Sequence, residues 1–258
     1  MTLFSKFISI LVSLKPTLRT SELSATTIDS RLRERGNDWP YFGLTMTGTT
    51  RIYMLEVLLI DVFFNRIEGG VMETGVWRGG SSIFARGVMR TFMFGNTPIY
   101  VCDSFSGLPP SSGLDDGDLG WDKTPFLEAS DFEVAKNFHS HGLLDSNVIF
   151  VKGFFNESMP TLRNQVRSLS ILRLDGDMYL STVDVLYNMY DKLQIGGYLI
   201  MDDWYGFPSR IACLDFFQVH NFTEDVIRID DLSAYWKKTK HVEIQYYRYK
   251  TNNFKIGT

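Results

Sequence analysis

Two short apolar runs, each closed by a pair of aspartates, constrain this fold more than anything else in the chain: Leu172-Arg-Leu-Asp-Gly-Asp177 and Tyr198-Leu-Ile-Met-Asp-Asp203. Apolar runs of that length, bounded by glycine, read as strands covered on both faces, as in a parallel sheet. In an open α/β sheet the ligand crevice lies beyond the carboxyl ends of the strands. Asp175, Asp177, Asp202 and Asp203 then converge on one rim. Four like charges in one place are costly unless a cation neutralises them. Oxygen ligands alone suit a hard divalent ion such as Mg²⁺.

The surrounding pattern repeats the strand–helix alternation. Strands are expected at Val71–Thr74, Ile99–Asp103 and Val148–Lys152, before the two aspartate-ended ones. Helical spacing covers Arg51–Arg66, Ser81–Phe94, Ser181–Leu193 and Ser209–His220, and Ser130 with Glu133 forms a capping box for a helix ending near His141. The run Val242–Tyr249 reads as a last strand, antiparallel at a sheet edge. Such alternation predicts a doubly wound α/β sheet. Residues 106–128 are rich in Pro, Gly, Ser and Asp without periodicity, the mark of a binding loop or lid.

At 258 residues with no evident linker, the chain reads as a single domain, 1–258, in which residues 1–68 form an N-terminal helical or lid extension. Phe4, Phe7, Ile8, Leu11 and Leu14 fall at helical spacing and predict an amphipathic helix packed on the body or on a partner subunit, with membrane-surface contact as a second reading. The segment is too short to span a bilayer. A net charge of −4 leaves no basic footprint for nucleic acid. Two cysteines, Cys102 and Cys213, make no disulfide framework, so a reducing, cytoplasmic setting is expected.

The loop Glu73-Thr-Gly-Val-Trp-Arg-Gly-Gly80 joins the first strand to its helix, and its glycines allow a sharp turn and close approach to a ligand. Its spacing is not the Gly-x-Gly-x-x-Gly of a dinucleotide fold. An acidic strand residue disfavours a pyrophosphate but suits an ammonium such as that of S-adenosylmethionine. Asp103 ends the next strand, where a carboxylate can accept hydrogen bonds from ribose hydroxyls or close an Asx turn. Loop and aspartate together point to a nucleoside cofactor. Of the four rim aspartates, three are expected to hold the metal and one to stay free as a base. The four histidines show no metal spacing, and neither a Gly-x-Ser-x-Gly elbow nor a Walker A loop is present. Trp39, Tyr41, Phe42, Tyr179, Trp204 and Tyr205 flank the rim in sequence, with core packing as the bland reading for each.

At these residues the chain resembles the macrocin O-methyltransferase-like family of sugar O-methyltransferases. The matching stretches include Asp38-Trp-Pro40, Thr45-Met46, Glu73 to Gly80, Asp103-Ser-Phe-Ser-Gly-Leu-Pro-Pro110, Leu172 to Asp177, Ser181-Thr182, Gly196-Gly197 and Asp202-Asp203, in the family's order from about residue 38 to Trp236. No match is recognised in the first 30 or so residues. The resemblance implies a class I methyltransferase (Rossmann-like) fold with a mostly parallel seven-stranded sheet and an antiparallel edge strand, S-adenosylmethionine, and Mg²⁺. It implies methyl transfer to a sugar hydroxyl of a glycosylated natural product or glycan. It makes Asp175, Asp202 and Asp203 the metal ligands and Asp177 the general base. Thr45, Met46, Glu73, Gly75, Arg78, Asp103, Ser104 and Phe155 become cofactor contacts. Tyr179, Trp204 and Tyr205 are expected at the substrate, and a homo-oligomer is expected. Leu180 and Trp204 depart from the family's usual residues near the sugar site. A catechol-type phenol as acceptor, or a non-catalytic binding module, are the alternatives.

Overall fold

The computed structural model describes residues 30–36, 40, 42–92, 96–111 and 120–255. The expected N-terminal amphipathic helix, with Trp39 and Tyr41, lies outside the described residues. The chain enters through α1 (Ser30–Arg35) and α2 (Thr49–Phe64). It then alternates: β1 (Gly70–Thr74), α3 (Gly80–Thr91), β2 (Ile99–Asp103), α4 (Asp131–Ser140), β3 (Val148–Lys152), α5 (Phe155–Leu162), β4 (Leu169–Leu174), α6 (Tyr179–Met189) and β5 (Leu193–Met201). It closes with α7 (Pro208–Val219), β6 (Ile227–Arg228), β7 (Ala234–Lys237) and α8 (Tyr246–Lys250).

The seven strands lie in the order β3-β2-β1-β4-β5-β7-β6. The first five are parallel, and β7 runs antiparallel to β5, with Tyr198 opposite Lys237 and Met201 opposite Ala234. The sheet reverses its strand order between β1 and β4, which is where such sheets open a crevice. β1, β2 and β4 are apolar and buried almost throughout, since helices cover both faces. One face carries α2, α3 and α4 through Leu59, Val62, Phe84 and Phe138; the other carries α5, α6 and α7 through Met159, Val183, Leu186 and Phe216. Cys102 and Cys213 are buried free thiols, one in each of the strand and helix layers. Among the described residues no helix is long and apolar enough to cross a membrane.

Two elements differ from the sequence reading. The antiparallel edge strand is Ala234–Lys237, not Val242–Tyr249. In β7, Ala234 and Trp236 point into the core while Tyr235 and Lys237 stay half-exposed, so four residues suffice to seal β5. Val242 and Ile244 instead pack on the aromatic layer around α6 and α7. The chain there is latched by His220, whose Nε2 accepts from the Gln245 N–H at 3.0 Å while Nδ1 lies 2.9 Å from the Phe216 carbonyl. The helix α5 was not expected, because it is short and carries Pro160.

Candidate active site

The loop after β1 is shaped by contacts that leave no room for side chains. A Cβ on Gly75, at φ 87°, would stand 1.6 Å from the Asp175 carbonyl oxygen, and one on Gly80 would stand 2.5 Å from the Leu44 carbonyl. The Gly80 N–H donates to that same Leu44 carbonyl at 2.8 Å, which draws residues 42–48 over the crevice. Asp103 organises the facing turn. Its Oδ2 accepts from the N–H of Val76 at 2.8 Å, and its Oδ1 accepts from the N–H of Phe105 at 2.8 Å, the Asx-turn geometry. The Ser104 hydroxyl has one proton, and the nearer acceptor is the Gly107 carbonyl at 2.5 Å, so Asp103 Oδ1 keeps accepting capacity.

Two chambers open along this rim. The first is lined by Gly75, Asp103, Ser104, Pro109, Phe155 and Ser181, among others. The second, about 320 Å³, is lined by Thr45, Thr47, Arg51, Trp121, Asp202, Asp203, Phe207 and Leu232. Met46, Trp77, Leu127, Asp175 and Asp177 line both, so the chambers meet at two aspartates.

Asp175 and Asp177 follow β4; Asp202 and Asp203 follow β5. Asp177 sits at φ 57°, a left-handed conformation that costs a non-glycine residue energy and is held by its surroundings. The Ser209 N–H donates to the Asp177 carbonyl at 3.2 Å, and the Ser209 hydroxyl donates to the Asp203 carbonyl at 2.6 Å. One carboxylate oxygen each from Asp175, Asp177 and Asp203 gather within 4.8 Å of one another. Burial, together with the charge of Asp202, pushes Asp175 up to about 7 against the pull of Arg173. Burial pushes Asp177 up to about 6, and Asp203 is driven well up by burial and by Asp177 and Asp175. Asp203 Oδ2 is buried without a donor.

Asp202 stands beside this trio rather than in it. Its Oδ2 meets Arg51 Nη1 at 2.5 Å and its Oδ1 meets Arg173 Nη2 at 2.6 Å. Burial alone would raise Asp202, but the two guanidinium groups outweigh it and hold the carboxyl below its usual value. Arg173 lies opposite Glu73 in the β1–β4 register and is 3% exposed. It bridges Glu73 at 2.5 Å, Asp175 at 2.7 Å and Asp202, and donates to the Thr47 hydroxyl at 3.0 Å.

That network corrects part of the sequence reading. Glu73 is buried, its oxygens are taken by Ser81, Ser82 and Arg173, and it lines neither chamber, so it is not placed to meet a cofactor ammonium. Burial raises its carboxyl despite those partners. Arg78 also lies outside both chambers: it donates to the Gly43 carbonyl at 3.1 Å and covers the Trp77 ring. The three expected substrate contacts point elsewhere. Tyr179 is buried, with its hydroxyl donating to Asp215 at 2.7 Å; Trp204 packs on Phe217 and Trp236; Tyr205 lies beneath Arg210 and Arg228. The aromatic wall comes from Trp121 and Phe207 instead. Arg51, Arg173, Trp121 and Phe207 were missed. Only Arg173 carried a signal, as a charge inside an otherwise apolar strand.

A sheet of this order, with a crevice where the strand order reverses and an acidic rim beside it, is that of the class I methyltransferase fold. The chain belongs to the Macrocin-O-methyltransferase (TylF) family, which it matches over residues 4–238. The match takes in most of the N-terminal stretch where the sequence reading recognised none. The chain is 36% identical over 222 residues to demethyldecarbamoylnovobiocin O-methyltransferase of Streptomyces niveus, covering 83% of each chain. It is 35% identical over 213 residues to mycinamicin III 3''-O-methyltransferase of Micromonospora griseorubida, covering 80% of this chain and 83% of that one. The solved structure of the O-methyltransferase NovP superposes with a TM-score of 0.83 at 32% identity, over 92% of this chain and 99% of that one.

Proposed function

We propose that this protein transfers the methyl group of S-adenosylmethionine to a sugar hydroxyl on a glycosylated natural product or glycan, with Mg²⁺ at the acidic rim. The observation that carries the reading is the meeting of two chambers at Asp175 and Asp177. The residues of the chamber beside Asp103 would hold the cofactor and those of the other chamber the acceptor, so that Asp175 and Asp177 would stand where methyl group and hydroxyl meet. Relatives that act on novobiocin and mycinamicin precursors support a glycoside acceptor.

The rim fits a hard divalent ion: three carboxylate oxygens gather closely, and a buried Asp203 oxygen lacks a donor. Asp175 and Asp203 are the proposed ligands from the trio. Asp202 is the proposed third, since each of its oxygens keeps a lone pair beyond its arginine contact. A bound Mg²⁺ supplies positive charge that offsets the carboxylates and acidifies an adjacent hydroxyl. Asp177 is the proposed base: it lines both chambers, and burial gives it more affinity for a proton than an ordinary aspartate. The acceptor hydroxyl would give its proton to Asp177 as its oxygen takes the methyl group from sulfur, leaving S-adenosylhomocysteine. Asp103, Ser104, Gly75, Met46 and Phe155 line the cofactor chamber and are the proposed cofactor contacts; Thr45 belongs to the acceptor side. In this reading the chain acts as one catalytic domain, whose N-terminal part brings Thr45, Met46, Thr47 and Arg51 to the site.

Asp177→Asn tests the reading. The variant should bind S-adenosylmethionine with unchanged affinity by calorimetry and lose methyl transfer to a glycoside panel. Full turnover in it would remove Asp177 as base.

A further inference from the structure

Resting on that reading, we propose that Trp121 and Phe207, packed on each other, form the aromatic wall that selects the acceptor, holding a sugar ring by its apolar face together with the apolar group it carries. Both rings line the acceptor chamber and neither lines the cofactor chamber. Their centroids lie 5.5 Å apart, with planes inclined by 41°.

They reach this point from opposite sides. Trp121 opens a short 3-10 turn, Trp121–Lys123, in the connection between β2 and α4. Phe207 caps α7, two residues before Ser209, whose hydrogen bonds hold Asp177 and Asp203. This wall offers apolar ring faces, and an indole is also a hydrogen-bond donor, the pairing that sugar recognition needs. Charge does not do the selecting. Among the described residues, the one cationic side chain lining the chamber, Arg51, is committed to Asp202, Asp230 and the carbonyls of Arg35 and Gly36. A nucleotide-activated sugar would find no free cation among the described residues of these walls.

The test uses the full chain with S-adenosylmethionine and Mg²⁺, and two probes, p-nitrophenyl and methyl α-L-rhamnopyranoside. The wild type should show a lower KM for the aryl glycoside. Trp121→Ala and Phe207→Ala should each raise that KM about fivefold or more and erase the aryl preference. The affinity for S-adenosylhomocysteine and kcat should stay within about twofold, and Trp121→Phe should keep most of the preference. Unchanged KM values in both alanine variants, with methyl transfer intact, would overturn the aromatic wall and leave the proposed function standing. A wild type that binds S-adenosylhomocysteine but neither binds nor methylates either rhamnoside would overturn both.

Discussion

The rim at the ends of β4 and β5 and the aromatic layer between α6, α7 and the C-terminal segment are built from the same stretch of chain, yet they are opposites. The rim buries Asp202, Asp203 and Glu73 and half-buries Asp175 and Asp177 around two arginines, with one oxygen lacking a donor and one residue at positive φ. The aromatic layer stacks Phe217 on Phe222 at 3.8 Å, sets both edge-on to Trp236, and closes Tyr187 and Tyr190 on Phe216. It is held by burial and by a few side-chain hydrogen bonds such as the His220 latch, whereas the rim is held by geometry that opposes its own electrostatics. Asp203 and Trp204 are neighbours in sequence and belong to different regions. The rim spends stability on chemistry, and the aromatic layer returns it.

The comparison breaks most visibly at Asp177. Asp177→Asn should lower turnover about 10²- to 10⁴-fold while leaving the unfolding midpoint unchanged or raised, since a buried charge is removed; a large loss of stability would show the residue to be structural. Arg173→Met should do the reverse, destabilising the fold by about 3–5 kcal/mol, because Glu73 and Asp202 would lose a buried counter-charge. Denaturant titration measures this, and a neutral result would mean that those carboxyls are protonated in the fold. Trp204→Ala should cost about 3 kcal/mol and leave the acceptor KM as it is, in contrast to Trp121→Ala. A raised KM would return Trp204 to the substrate wall.

The protein's topology was legible because its central strands are continuous apolar runs, and each of β1 to β5 falls where such a run lies. The acidic pairs were legible for the same reason: a charge at the end of a buried strand has few places to go. What could not be read was direction. Glu73 faces inward to Arg173, a partner 100 residues away, and no local pattern announces that pairing. Tyr179 and Trp204 sit next to the rim in sequence, but the chain turns after each aspartate pair and sends them into the core. Trp121 lies in a loop without periodicity, so only the folded chain brings it to Phe207. The edge strand was misplaced because Val242–Tyr249 alternates as well as Ala234–Lys237 does, and the choice is made by Trp236 filling the core beside β5.

Two smaller effects sharpen the contrast through pH. Asp175 and Asp177, at about 7 and about 6, lie above the ordinary carboxylate value of ~3.9. The folded protein therefore holds protons that the unfolded chain has lost, and without cation its stability falls as pH rises through those values. Saturating Mg²⁺ should raise the melting temperature more at pH 8 than at pH 5.5, as the ion takes the place of those protons. Equal shifts at both values would count against the site. In the aromatic layer the sign is opposite. Burial lowers the His220 pKa below its unfolded value of ~6.5, so its contribution is complete above ~6.5 and is lost as pH falls toward the folded value. His220→Gln should flatten the fall in melting temperature between pH 7 and 5, and an unchanged slope would release His220 from that role.

The central claim is that the gathered carboxylates form a cation site. Calorimetric titration of Mg²⁺ into the protein saturated with S-adenosylmethionine tests it most directly. The account predicts a single saturable site that releases protons on binding and is abolished in Asp203→Asn. Binding that is absent from the wild type, or equally strong in Asp203→Asn, would contradict it.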